Sequence, residues 1–307
     1  MEAQQVNTLV KLPKRATDSH KGTFGSVAIV GGSAGMHHND KFAATMLGAP
    51  ALAAMGAIRA GCGLVKVAVP MPLVESVLTL APFATGFGLE VDADRAIIPS
   101  SAAVVIDELV RTNEVVVVGP GMGTGHEIEQ IVTRLIGQED VPIVVDADGL
   151  NALTAMPDFT RDVRATMVMT PHPGEAKRLM AALSITGDPA GTQPERIKAC
   201  VEIAQRVGCV VVLKGKGTVV SNGHLVWVCD RGCSALSVGG TGDVLAGVIG
   251  SLIAQKNIDL FMACAIGVQA HAIAGEQWAT HHNATSGMIA NELADELAGV
   301  IETMRQD

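Results

Sequence analysis

Six short apolar runs in this chain have no polar alternation. Residues 27–30, 64–69, 115–118, 143–145, 167–169 and 210–213 are nearly continuous in apolar side chains, mostly Val. Each stops at turn-forming residues: Gly31-Gly32-Ser33, Pro70, Gly119-Pro120-Gly121, Asp146-Ala147-Asp148, Thr170-Pro171 and Lys214-Gly215. A strand with one wet face alternates; a strand apolar at every position is covered on both faces. Segments of helical spacing lie between most of the runs, around 51–60, 128–135 and 194–207. Strand–helix alternation predicts an α/β chain with a mostly parallel central sheet and helices on both faces.

After Lys214 the pattern changes. Residues 218–221 and 224–229 flank Asn222-Gly223 and predict a hairpin. Val244, Val248 and Leu252 share one helical face, with Leu245, Ile249 and Ile253 beside it. That spacing predicts a well-buried helix starting near Thr241. Two more helices are expected at about 260–279 and 286–304, and a polar, irregular loop at 35–46. No linker, repeat or low-complexity tract divides the chain. We expect one domain over 1–307, with 1–19 as an N-terminal extension.

Composition excludes several function classes. Twenty-two Lys+Arg against 31 Asp+Glu give a net charge of −9, which argues against a nucleic-acid partner. Hydrophobic residues make up 48%, enough to exclude a disordered chain. The least polar stretch, 260–275, contains Gln269 and His271 and is shorter than the roughly 18–20 residues that span a bilayer. The N-terminal 21 residues have no apolar signal core. Six scattered cysteines form no Cys-x-x-Cys pair and read as buried, reduced thiols. These features predict a soluble, cytoplasmic chain with no membrane partner.

In open α/β sheets, ligands collect at the carboxyl ends of strands, where helix N-termini present free N–H groups. The Gly-rich and polar clusters fall at such ends. The strongest is Ser237-Val238-Gly239-Gly240-Thr241-Gly242-Asp243, leading into the apolar helix. Its three glycines let backbone N–H groups close around an anion, which the helix dipole favours. Asp243 reads either as a base or metal-side group, or as an acid that stabilises the helix start. Spacing alone leaves both open. His271, on an apolar helix face, reads as a satisfied core histidine. His37, His38 and Asp40 read as a solvated loop rather than a metal site.

Gly-x-Gly-Asp opening a helix near the C-terminus resembles the ribokinase-like superfamily. Within it the chain is most similar to the ADP/ATP-dependent NAD(P)H-hydrate dehydratases. The resemblance rests on His20-Lys21-Gly22-Thr23-Phe24-Gly25, Gly31-Gly32-Ser33, Gly48-Ala49-Pro50, Gly119-Pro120-Gly121-Met122-Gly123, Asp146-Ala147-Asp148, Thr170-Pro171-His172-Pro173-Gly174-Glu175, Leu213-Lys214-Gly215-Lys216-Gly217-Thr218 and Gly240-Thr241-Gly242-Asp243 with the four residues after it. These segments run in the family's order over roughly 20–300. Residues 36–47 look like an insertion relative to the family's compact loop. About 20 residues precede His20, so the epimerase domain often fused there is expected to be missing.

The resemblance implies a ribokinase-like fold and a repair reaction. The substrate would be NADH or NADPH hydrated across a ring double bond. A nucleotide phosphoryl group would convert its C6 hydroxyl into a leaving phosphate, and elimination would restore the dihydropyridine. Asp243 would be the catalytic base, with Gly240, Thr241 and Gly242 as the anion hole, helped by Mg²⁺ whose ligands stay open. Lys214, Gly215, Lys216, Gly217 and Thr218, with Gly242, would bind the nucleotide. Ala49, Gly123, His172 and Asp243 would bind the hydrated cofactor. Asp146, Asp148 and Glu175 are further candidates. On the residues alone, these positions also read as a basic hairpin turn, helix packing, an ordinary turn and helix caps.

Bacterial members imply ADP as donor, with ATP as the alternative. Family members are often multimeric, which implies a homo-oligomer, a tetramer among its forms. Two rivals remain: a vitamin-type small-molecule kinase of the same fold, and a nucleotide-binding protein without catalysis.

Overall fold

A computed structural model describes residues 3–35 and 44–306. His37, His38, Asp40 and most of the expected loop and insertion lie outside the described residues. In chain order the elements are β1 (Gln4–Gln5), β2 (Ser26–Val30), α1 (Gly48–Arg59), β3 (Leu64–Pro70), α2 (Val74–Leu80), β4 (Thr85–Leu89), α3 (Pro99–Thr112), β5 (Val115–Val118), α4 (His126–Ile136), β6 (Ile143–Val145), α5 (Asp148–Ala155), β7 (Met167–Met169), α6 (Pro173–Ala182), α7 (Gln193–Val207), β8 (Val210–Leu213), β9 (Val219–Ser221), β10 (Leu225–Val228), α8 (Thr241–Ala254), α9 (Leu260–His282) and α10 (Ala290–Thr303).

The ten strands form one sheet in the order β1-β10-β9-β8-β7-β6-β5-β2-β3-β4. Only β9 runs against its neighbours, closing the hairpin pair β9–β10. All six apolar runs are strands. Their lack of alternation has a direct cause: successive side chains point to opposite faces, and both faces are dry. Val27, Ile29, Val115 and Val117 enter the core beneath α1, α2 and α8–α10. Ala28, Val30, Val116 and Val118 enter the core beneath α3–α7.

Four elements differ from expectation. β4 (Thr-Gly-Phe-Gly-Leu) is an edge strand whose two glycines hide its β-character. The polar Gln4–Gln5 pair joins the sheet beside Leu225 and Val226, and Leu12 bridges Arg305. The segment before His20 is thus tied into the rest of the molecule. α10 starts at Ala290 rather than 286, because Gly287 at φ +92 breaks the run. α9 continues to His282 and stops at Asn283, which takes the left-handed conformation usual after a helix.

α1 and α8 approach at backbone distance. A Cβ on Gly247 would lie 1.9 Å from the Ala53 carbonyl oxygen, and one on Gly56 2.2 Å from that of Val244. Glycine at these crossings lets α8 lie buried under the sheet with its N-terminus at the carboxyl ends of the strands. β2 and β5 are neighbours, yet the chain leaves them in opposite directions, to β3 and to β6. Their following loops part at this switch point, which opens a crevice. Gly32 N donates to the Pro120 carbonyl there (2.9 Å). Among the described residues no helix is long and apolar enough to cross a membrane.

Candidate active site

The site begins with three residues that each follow a strand directly. Asp146 follows β6, Thr170 follows β7 and Lys214 follows β8. Asp146 is buried, and its Oδ1 accepts from Lys214 Nζ (2.7 Å) and from Thr170 Oγ1 (2.6 Å). Lys214 N donates to the Pro171 carbonyl (2.9 Å), which fixes the end of β8 against the end of β7. Burial works against the Lys214 charge, but Asp146, Glu175 and Asp243 outweigh it and hold the ammonium above its ordinary range. The same ammonium covers the N-terminus of α8: a Cβ on Gly242 would lie 3.3 Å from Lys214 Nζ.

That N-terminus is built by local constraints. Gly240 sits at φ +94, and a Cβ there would meet Leu52 Cδ1 at 2.5 Å. Thr241 Oγ1 donates to the carbonyls of Leu236 and Val238, each at 3.1 Å. His271 Nε2 lies 2.9 Å from the Thr241 carbonyl. The first amides of a helix have no acceptor within it, so this turn can receive an anion. Asp243 sits in this turn. Burial, and then the charge of Asp146, push its carboxyl up to about 7, although Lys214 pulls the other way. Burial likewise pushes Glu175 up to about 7, with Lys214 opposing.

His172 is the N-cap of α6. Its Nδ1 accepts from Gly174 N (2.9 Å) and Glu175 N (3.3 Å), while Glu175 Oε2 accepts from His172 N (2.7 Å). Burial, then Lys214 and Arg178, lower its pKa. With Nδ1 accepting, the neutral ring carries its proton on Nε2. The capping alternative for His172 and the helix-start alternative for Glu175 therefore describe contacts that both residues make here.

A second group lines the crevice at the switch point. Gly123 N donates to Asp148 Oδ2 (2.8 Å), and Asn151 Nδ2 donates to Asp148 Oδ1 (3.1 Å). Ala49, in the first turn of α1, has its Cβ 3.1 Å from where a Cβ on Gly121 would be. Ala147, between Asp146 and Asp148, takes φ +48 and ψ −117. A non-glycine residue pays strain for that conformation, and such strain concentrates at functional sites.

A cavity of about 1200 Å³ adjoins the first group. Lys214, Gly215, Lys216, Gly217, Thr218 and Gly242 all line it, so the structure brings the expected nucleotide residues together. Ala49, Gly123, His172 and Asp243 are not among its lining residues. His271 has the hydrogen bond expected of it, but it stands in the cavity wall rather than deep in the core. Burial lowers its pKa to about 4, so the ring is neutral near pH 7. The segment following β10 forms the opposite wall, held to α9 by Glu276, whose Oε1 accepts from Gly232 N (2.6 Å) and whose Oε2 pairs with Arg231.

Sequence reasoning missed Gln193, Arg196 and Arg231, which also line the cavity. Gln193 and Arg196 lie on an ordinary amphipathic helix, and no local signal marks them. Among the described residues no three His, Cys, Asp or Glu side chains form a metal-binding group.

Comparisons with known proteins give the family and the fold. The family profile described as NAD(P)H-hydrate dehydratase matches residues 43–298. The ADP-dependent (S)-NAD(P)H-hydrate dehydratase of Neisseria meningitidis is 34% identical over 95% of this chain and 91% of its own. The bifunctional NAD(P)H-hydrate repair enzyme of Coxiella burnetii is 34% identical over 92% of this chain. The chain spans about half the length of that relative, 51%. The ADP/ATP-dependent NAD(P)H-hydrate dehydratase of Bacillus subtilis, co-crystallised with ATP/Mg²⁺, superposes with a TM-score of 0.76 at 26% identity, covering 96% of this chain and 95% of that one. The fold is ribokinase-like. The chain belongs to the NAD(P)H-hydrate dehydratase family.

Proposed function

We propose that this chain is an ADP-dependent (S)-NAD(P)H-hydrate dehydratase that returns hydrated NADH or NADPH to the reduced cofactor, with AMP and phosphate as the other products. The observation that carries the reading is the position of Asp243. It opens α8 beside Gly242, where the nucleotide cavity and Lys214 meet, with its carboxyl held at about 7. A general base works best with a pKa near the working pH.

In this reading Asp243 accepts the proton of the C6 hydroxyl as that oxygen bonds to the terminal phosphorus of ADP, and the bond to the AMP oxygen breaks. The amides of Gly240, Thr241 and Gly242 stabilise the charge on the phosphoryl group in flight. The C6–O bond then breaks with phosphate as the leaving group, and loss of a ring proton restores the double bond. Lys214 and Lys216 face the phosphates, and Gly215, Gly217 and Thr218 offer backbone to them. Ala49, Gly123 and His172 hold the hydrated ring, with Asp148 fixing Gly123 and Asp146 fixing Lys214.

Three carboxyl groups, on Asp146, Glu175 and Asp243, act on the single ammonium of Lys214. This excess of negative charge beside a polyphosphate suits Mg²⁺, a hard cation that takes one or two carboxylates plus phosphate oxygens. Glu175 is the residue that would hold it, and when bound it supplies neutralising charge to the phosphates. The relatives from N. meningitidis and B. subtilis support the donor and the ion. The six free cysteines support a reducing, cytoplasmic setting. A homo-oligomer of single-domain subunits completes the reading.

The test is to incubate the protein with hydrated NADH, Mg²⁺ and either ADP or ATP and to follow the absorbance of NADH. Recovery of NADH with release of inorganic phosphate is expected, faster with ADP. A stable phosphate ester would favour the vitamin-type kinase instead, and tight ADP binding without turnover the non-catalytic rival.

A further inference from the structure

The loop 214–218 presents its backbone in one sense. Four of its five carbonyls are occupied: Lys214 accepts from Arg196 Nη2 (3.2 Å), as does Leu213 just before it (3.3 Å), Gly215 from Thr218 Oγ1 (2.8 Å), Gly217 from Gln193 Nε2 (3.0 Å) and Thr218 from Cys229 N (2.9 Å). Most of its N–H groups are not: among the described residues, the amides of Gly215, Lys216 and Gly217 donate to no protein acceptor. The loop lines the cavity, and Gln193 and Arg196 line it too.

Arg196 is unusual in itself. It is only 6% exposed, and among the described residues no carboxylate pairs with it. Its Nη1 donates to the Pro189 carbonyl (3.1 Å), and its buried Nε has no partner. A buried cation without a counterion is costly and persists where something else needs it. The glycines of the loop allow the contact: a Cβ on Gly215 would lie 3.1 Å from Arg196 Nη2, and one on Gly217 2.7 Å from Gln193 Oε1.

We infer that Arg196 and Gln193, one turn apart on α7, are positioning residues for the nucleotide: they hold the Lys214 and Gly217 carbonyl oxygens of the 214–218 loop, which leaves the N–H groups of Gly215, Lys216 and Gly217 free for anionic phosphates in the cavity. Carbonyl oxygens turned to the cavity would repel phosphate, whereas consecutive free amides attract it. The unpaired guanidinium adds positive potential behind the loop. This inference rests on the assignment of the cavity to ADP.

The experiment measures ADP affinity calorimetrically on the full chain, together with KM for ADP, KM for hydrated NADH, kcat and the melting temperature. The variants are Gln193→Ala, Arg196→Lys and Arg196→Met. Gln193→Ala is expected to weaken ADP binding about 3- to 10-fold, the effect of one hydrogen bond. Arg196→Met is expected to weaken it more than about 10-fold, with Arg196→Lys between, since it keeps the charge but not the fork. At temperatures well below each melt, kcat at saturating ADP and KM for hydrated NADH stay within about twofold, because neither side chain touches the reacting atoms. Unchanged ADP affinity in Gln193→Ala, the variant least prone to unfold, overturns the inference. So does a loss in Arg196→Met that spreads over kcat and both KM values in step with lost folding. Failure of the unmodified protein to bind ADP overturns the functional reading itself and is read separately from the variants.

Discussion

Lys214 Nζ and Asp146 Oδ1 meet at 2.7 Å although 68 residues separate them. Thr170, from the strand between theirs, donates to the same oxygen. Three adjacent strand ends are thereby joined in one polar row, with a cation at its cavity side. In the proposed reading the row places the nucleotide, and it sets the charge felt by Asp243.

Removing the cation tests that relationship. Lys214→Ala is expected to weaken ADP binding at least about tenfold, since a charge facing phosphate is lost. It also strands the buried Asp146 carboxylate, which costs on the order of 2–4 kcal/mol of stability. Lys214 holds the Asp243 carboxyl down, so the acid limb of the rate profile should move to higher pH. An ADP titration, a urea melt and a pH–rate series on one protein preparation check all three; unaltered ADP affinity would remove Lys214 from the site.

Asp243→Asn keeps the shape of the helix start but cannot accept a proton. We expect kcat to fall about 10³-fold, within the range of general-base catalysis, with ADP affinity changed by less than about threefold. Stopped assays for phosphate release beside ADP calorimetry decide this. A variant with near-normal turnover would show that another group takes the proton.

The raised pKa of Asp243 has two consequences of opposite sign. Activity needs the ionised form, so kcat/KM should climb with pH through about 7. Stability runs the other way. The folded state binds this proton more tightly than the unfolded chain, so the contribution is whole below about pH 4 and is lost as pH rises through about 7. Compared with the unmodified protein, Asp243→Asn should gain on the order of 4 kcal/mol between pH 4 and pH 8. Denaturant melts at both pH values measure it; a difference that does not change with pH would mean that the folded-state pKa is ordinary.

The contact between α1 and α8 should tolerate no added methyl group. Gly247→Ala would drive its Cβ into the Ala53 carbonyl, and both sides of that contact are backbone. We expect a loss of at least about 3 kcal/mol, or no folded protein. Gly299→Ala, on α10 with open space around it, is the matched control and should be nearly neutral. Equal melting temperatures for the two variants would contradict the packing.

Thiol reactivity reports on the cavity. Cys62, Cys200, Cys209, Cys229 and Cys264 are buried, and burial pushes each thiol above its ordinary range. Cys233 is half-buried and lines the cavity. In the native protein it should react first with an aromatic disulfide, and saturating ADP should slow the reaction severalfold. Peptide mapping of the modified site with and without ADP checks this. Reaction unaffected by ADP would place the nucleotide elsewhere.

Much of the fold was legible because its signals are local. An apolar run buried on both faces needs no partner to be recognised, and Gly240-Thr241-Gly242-Asp243 before an apolar helix marks a candidate anion site through backbone geometry alone. β4 was hidden because Gly86 and Gly88 carry no side chain, and β1 because two glutamines have no strand character until Leu225 and Val226 lie beside them. In the site, the cavity-lining residues 214–218 were readable as a continuous segment. The capping contacts of His172 and Glu175 were readable only as an alternative, since His-Pro-Gly-Glu fits a helix cap and a ligand site equally well.

The sequence by itself determined eight of the ten strands, the buried helix and the candidate base, because hydrophobic period and glycine placement act over a few residues. Tertiary structure alone decided that Lys214 and Thr170 donate to one oxygen of Asp146, and that Gln193 and Arg196 grip a loop 18 to 24 residues away. The reason is physical: those contacts depend on the order in which strands lie side by side and on which helix covers them, and no short stretch of chain encodes that order.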